Sequence, residues 1–439
     1  MASKKDFDIA IIGGGITGIT LAIALLKHDI RVQVYEQAHA FSEIGAGVSF
    51  GPNAMKAMVT CDPAVLEAFR GVATHNQWES KSNHFFDFLD GMPSSKSETQ
   101  AGPFSAKPHF TLFNSQGANS THRADFMDAM AKLIPDGIAH FRKRLEKIEE
   151  DQVTKRQRMT FTDGTTAEAD AVIGCDGIKS KTRALMFGED HPSAKARYSN
   201  MYCYRAVMPM ERAVNAFGKE KAQNAYMWLG DKRHILTFPI NKGATFNMVA
   251  MVTDEGDWPS DERLTLPAHK ADALKDFENF GPAVLKQIEL VNDDVDRWAL
   301  FDLADNPVPT FYKGRVVITG DASHPTTPHH GSGAGFGIED SAVLSVLLSD
   351  PRVTSPEHLE SVFAAFDASR RERDQWLVAD SRLTGTMYQW YAPGVKRNDW
   401  AKLESKLRAS FGKIWDYDID AALVEAKEDL AERLAALRG

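Results

Sequence analysis

The chain has 439 residues, 43% of them hydrophobic and 25% charged, with a formal net charge of −9. That is a folded globular composition, too long for one ordinary core, and it excludes a disordered or fibrous chain. The densest basic stretch, FRKRLEKIEE followed by TKRQR, is broken by Glu and reads as a solvated strand-and-turn face, not a nucleic-acid surface. Three cysteines (Cys61, Cys175, Cys203) form no CxxC and no metal-ligand spacing. This suits a reducing compartment and predicts neither a disulfide framework nor a metal site. No apolar run approaches the roughly 18 residues that span a bilayer. The short apolar run after the first lysines ends in glycines, unlike a signal peptide, so a cytoplasmic location is expected.

In chain order, DIAII reads as a parallel strand buried on both faces. Gly13, Gly15 and Gly18 then form G-x-G-x-x-G at the mouth of the apolar helix ITGITLAIALLKH. In such a unit the first glycine permits the tight turn, the second admits a pyrophosphate, and the third lets helix and strand pack closely. A second strand, RVQVYEQ, ends in Glu36, where a carboxylate accepts hydrogen bonds from a ribose. Strand, helix, strand and terminal acid together predict a dinucleotide site, with the phosphates at the helix N-terminus. The unit by itself does not distinguish NAD from FAD.

EIGAGVSFGPNAMKAM follows, with Ala46 and Gly47 small enough to leave a ring unobstructed and Pro52-Asn53 opening a helix. In THRADFMDAM, Arg123 opens another helix; in ADAVIGCDGIKSKTR, a strand ends at Asp176-Gly177. Residues 191–297 hold alternating runs that read as antiparallel strands, among them MYCYRAVMP with Arg205 and RHILTFPI with His234. VVITGD is a further buried strand, ending at Gly320-Asp321. The loop HPTTPHHGSGAG, with His329 and His330, then leads to a helix start containing Ala334 and Gly335. From residue 356 onward the spacing predicts a long amphipathic helix.

These motifs, in this order, resemble the FAD-dependent aromatic hydroxylases, the single-component flavoprotein monooxygenases. The stretch from WALFDLADNPVPTFYKGRVVITGD to GSGAGFGIEDSAVL and the tail KIWDYDIDAAL are especially similar to fungal salicylate hydroxylase-like enzymes. The resemblance implies an α/β fold. A Rossmann-like FAD-binding domain would be assembled from residues 1–80, 107–190 and 298–350. An antiparallel-sheet substrate domain would comprise 81–106, a turn-rich insertion, and 191–297, with C-terminal helices over 351–439. It further implies that Asp321 binds the ribityl chain, that Arg123 and Asp176 lie near FAD, and that the helix start at Ala334 faces the flavin.

The implied reaction consumes NADH or NADPH and molecular oxygen and hydroxylates a small phenolic aromatic acid through a flavin C4a-hydroperoxide. A salicylate-type substrate would lose carbon dioxide and leave a catechol. Arg205, His234 and His329 are the candidate catalytic residues, with His329 a possible acceptor of the phenol proton at neutral pH. Relatives that dearomatise phenols pair the Arg with a Tyr; here Phe238 stands in the corresponding strand, leaving Tyr202, Tyr204 and Tyr226 available. No second strand–GxGxxG–helix occurs, so the nicotinamide is expected to dock transiently and leave. The alternatives are a flavin monooxygenase of secondary metabolism acting on a larger polyketide or indole, and a flavin-binding protein without turnover. A monomer or homodimer acting on a small aromatic substrate is expected, with no nucleic acid or membrane partner.

Overall fold

The computed structural model describes residues 5–41, 47–93, 102, 104–260 and 263–437. Strand Asp8–Ile12, helix Ile16–Lys27 and strand Arg31–Glu36 form the expected β-α-β unit. They sit in a six-stranded sheet ordered 312–313, 316–318, 171–174, 8–12, 31–36, 139–141. Every pairing is parallel except the edge pair of Tyr312–Lys313 with Val316–Ile318. IAII and AVIG lie at its centre and are buried, as strands covered by helices on both faces must be. Because neighbouring strands come from residues 8–36, 139–174 and 312–318, this domain closes only when distant parts of the chain meet.

The second sheet has eight strands, ordered 265–269, 294–302, 197–209, 245–253, 233–240, 226–230, 84–90, 110–113. Its centre is a run of long antiparallel pairs, with Arg205 opposite Val249 and Leu236 opposite Val249 on the other side. The sheet departs from the expected layout. His84–Asp90, within the expected substrate domain but in the segment expected to be a turn-rich insertion, is a strand paired in parallel with Tyr226–Gly230, and its other partner Phe110–Phe113 lies past the expected boundary at 106/107. Its sequence HFFDFLD explains this: four of its apolar side chains are buried, and the turn-rich composition begins only after it. Asp294–Asp302 likewise runs through the expected boundary at 297/298 as one unbroken strand.

Helix Gly333–Ser349 packs between helices Ile16–Lys27 and Pro52–Cys61 in the α/β core. The expected long helix spans Leu359–Tyr388 and is followed by Trp400–Trp415 and Ile419–Ala436. Leu407, Phe411 and Ile414 join the apolar cluster of Phe85, Phe238 and Tyr388, while Leu423 and Leu430 join the α/β core. The three-stranded sheet of Leu145–Glu150, Gln157–Phe161 and Thr166–Ala169 carries the basic stretch as a solvated face. Among the described residues, no helix is long and apolar enough to cross a membrane.

Candidate active site

One cavity of about 870 Å³ runs from the glycine-rich loop to the face of the eight-stranded sheet. At one end lie Gly13, Gly15 and Glu36. Gly13 has φ +101°, and a Cβ there would stand 2.4 Å from the Cys175 carbonyl oxygen, so only glycine fits between the two loops. Gly15 caps helix Ile16–Lys27 without a side chain and with no acid in the first turn. The helix thus offers its own N–H groups to an anion. Gly18 lies behind the loop, packed on Gly13, and serves helix–strand packing. The Glu36 carboxylate accepts the Gly14 N–H at 2.6 Å and the Ala38 N–H at 2.7 Å. Each oxygen keeps a lone pair for a ribose hydroxyl.

Two turns form the middle of the cavity. Asp176 lines it and builds its turn: Oδ1 accepts the Ser180 hydroxyl at 2.5 Å and Oδ2 accepts the backbone N–H and hydroxyl of Thr182, which leaves one lone pair on Oδ1. Buried Arg183 fastens this turn to the next, donating to the carbonyls of Ile178, Ala194 and Ala322. Asp321 is exposed to the cavity. Burial lowers the pKa of Arg123, with Asp321 opposing and Arg205 adding to the effect, so these three charges share one space. Ala334 lines the cavity at the helix start, whereas Gly335 does not. Gly335 is buried against Ala54, where a Cβ would come within 3.0 Å, so its smallness serves helix packing and not the flavin. Gly47 is on the cavity wall against Phe238; Ala46 lies outside the described residues.

Beneath the Gly320-Asp321 turn is a buried charge cluster that the sequence reading missed. Asp340 accepts the Gly320 N–H (3.0 Å), the Thr319 hydroxyl (2.9 Å), a His324 ring nitrogen (2.8 Å) and Arg370 (2.8 Å). Arg370, fully buried on the long helix, also pairs with Asp374 at 2.7 Å and Glu339 at 2.8 Å. Burial opposes a charged His324, but Asp374 and Asp340 outweigh it and pull its pKa up to about 9. Burial pushes Asp374 up to about 8 in spite of Arg370. His324 and Asp374 therefore each keep a proton at neutral pH.

At the far end, Arg205, His329 and Tyr388 reach the cavity among Met227, Leu236, Phe238, Val249 and Met251. The Arg205 guanidinium stacks on Trp298 at 4.9 Å, and its buried Nε has no hydrogen-bond partner among the described residues. The His329 ring lies flat on the long helix at Gly385, where a Cβ would be 2.5 Å from the ring. Its Nδ1 meets the Thr327 hydroxyl at 3.0 Å. Burial and the neighbouring His330 bring its pKa down to about 3, so the ring is neutral at pH 7 and is a weak base. His330 points elsewhere, to Ser410 at 2.7 Å. His234 is a correction: it shares the cavity face of its strand but is buried under the end of the long helix, touching Gln389 and Tyr388, and does not line the cavity. Tyr202 and Tyr204 both bond Asp276, and Tyr226 bonds Glu220, so none of the three lines the cavity.

The family profile described as FAD binding domain matches residues 6–379. Along 98% of its length the chain is 43% identical to the FAD-dependent monooxygenase pigN of Monascus ruber, covering 98% of that protein. The chain belongs to the FAD-dependent monooxygenases. This monooxygenase is also 35% identical to the salicylate hydroxylase asL1 of Sarocladium schorii, over 97% of the chain and 91% of that protein. A solved salicylate hydroxylase substrate complex superposes with a TM-score of 0.83 at 31% identity, covering 97% of this chain and 98% of that one. The cradle around Gly13, the uncapped helix at Gly15 and the acceptor Glu36 fit the FAD that the family binds.

Proposed function

We propose that this FAD-dependent monooxygenase hydroxylates a phenolic aromatic acid, with the substrate's anionic group drawn to Arg205. The single observation that carries this reading is a guanidinium with an unpartnered buried Nε, set in the cavity wall among apolar side chains. Such a cation attracts a carboxylate or phenolate strongly once water is excluded. Bound FAD, reduced by NADH or NADPH, supplies the activated oxygen. The chain's own residues orient and desolvate the ring. Arg205 favours the ionised phenol by its charge, which makes the ring electron-rich. His329, neutral at pH 7, accepts or donates a hydrogen bond and does not store a proton. Phe238, Leu236, Met227 and Val249 keep water away.

For a salicylate-type substrate the products are a catechol and carbon dioxide, a reading supported by the likeness to salicylate hydroxylases. A larger phenol with an apolar substituent is the second reading, favoured by the apolar wall beside Arg205. The test is NADH oxidation with and without salicylate, followed by analysis of the product made under ¹⁸O₂. Stimulated oxidation with one labelled oxygen in the product supports the proposal. Oxidation that no phenol accelerates, or that yields only hydrogen peroxide, contradicts it.

A further inference from the structure

Tyr388 ends the long helix Leu359–Tyr388, far in sequence from every motif of the family. It is only 1% exposed, yet it lines the cavity. Its ring is fixed by neighbours, with centroids 5.9 Å from Phe88, 5.2 Å from His234 and 6.5 Å from His329. A tyrosine buried this deeply normally satisfies its hydroxyl. Tyr202, Tyr204 and Tyr226 lie off the cavity and are bonded to Asp276 or Glu220, whereas Tyr388 lines it and its hydroxyl bonds to no group among the described residues.

Arg205 and Tyr388 approach from different elements. Arg205 projects from Arg197–Pro209, while Tyr388 stands over His234 in Arg233–Ile240, two strands away. At the usual strand spacing the strand of Arg205 and the strand beneath Tyr388 lie roughly 10 Å apart, and both side chains line the one cavity. A ring carrying one oxygen group would use one of the two donors and leave the other buried and unpaired, which is unfavourable. We propose that Tyr388 is a substrate-binding residue and that the preferred substrate is an aromatic ring with oxygen substituents on two sides, one held by Arg205 and one receiving the Tyr388 hydroxyl proton in a hydrogen bond. The proposal rests on the hydroxylase reading above and narrows its substrate class. Burial, aided by Asp380, raises the Tyr388 pKa, so the group stays a donor over the working pH range.

The test compares the FAD-loaded wild type with Tyr388→Phe, which keeps the ring and removes only the hydroxyl. The probes are 4-hexylresorcinol and 4-hexylphenol, which differ by one hydroxyl, and binding is read from the visible difference spectrum of the oxidised flavin. The wild type should bind the resorcinol about tenfold more tightly than the phenol, the worth of one hydrogen bond, and Tyr388→Phe should abolish that preference by weakening the resorcinol alone. A variant that weakens both probes equally, or neither, overturns the proposal and leaves the hydroxylase reading intact. If neither probe perturbs the wild-type flavin, the phenol reading of the site fails and this inference falls with it.

Discussion

The two ends of the cavity are built by different means. The phosphate end is made of backbone: Gly13 squeezed against Cys175, the bare helix start at Gly15, and Glu36 held by two N–H groups. The ring end is made of side chains that converge from residues 205, 227–251, 329 and 388. A backbone site restricts which residues fit at fixed spacing, so it leaves a local signature in sequence. A side-chain site depends on which elements meet, and its residues carry no common spacing.

That contrast can be broken at either end. The largest effect is expected at the backbone end, where Gly13→Val introduces a branched side chain at φ +101° with its Cβ 2.4 Å from a carbonyl oxygen. The protein should lose all bound FAD and all NADH oxidation; absorbance at the flavin bands after purification checks this, and a yellow variant would show that the loop is adaptable. Next comes Arg370→Met, which leaves Glu339, Asp340 and Asp374 without their shared cation. Removing one partner of a buried ion cluster costs about 3–5 kcal/mol, read as a lower unfolding midpoint in urea. A smaller effect follows from the cluster's two protons. His324 is held up at about 9 and Asp374 at about 8, so in the folded state both keep protons that the unfolded chain has already released. Stability should therefore fall as pH rises from about 7 to 9, because the unfolded state binds fewer protons there. Melting temperatures over that range should drop for the wild type and flatten for Asp374→Asn. A wild type whose melting temperature rises over the same range would contradict the assignment.

The same contrast explains what could be read from sequence. The parallel sheet, the glycine-rich turn and the Gly320-Asp321 turn were legible because steric exclusion fixes residue type there. Gly335 shows the limit of that logic: a glycine beside a cofactor motif can serve helix packing against Ala54 instead. His84–Asp90 was hidden because one strand partner, Tyr226–Gly230, lies over 130 residues away and the other, Phe110–Phe113, lies beyond the turn-rich stretch that follows it. Asp340, Arg370 and Asp374 lie in helices whose apolar periodicity dominates, so nothing marked them as one cluster. An ion pair such as Arg370 with Asp374 has helical i,i+4 spacing and was the one available signal. For Tyr388 there was none, since its place depends on where a 30-residue helix ends. His329 was found, but its neutrality comes from burial, which the loop sequence does not encode.

The central claim is that the two ends work separately: backbone holds the FAD, and Arg205 holds the substrate. Arg205→Ala tests it directly, by measuring flavin content and the kcat/KM of substrate-stimulated NADH oxidation in one preparation. FAD should stay bound at the wild-type ratio, because the loop around Gly13, the helix start at Gly15 and Glu36 are untouched. The kcat/KM should fall roughly 100-fold, corresponding to about 3 kcal/mol of charge-assisted binding. A colourless variant, or one that turns over substrate at the wild-type rate, would contradict the account.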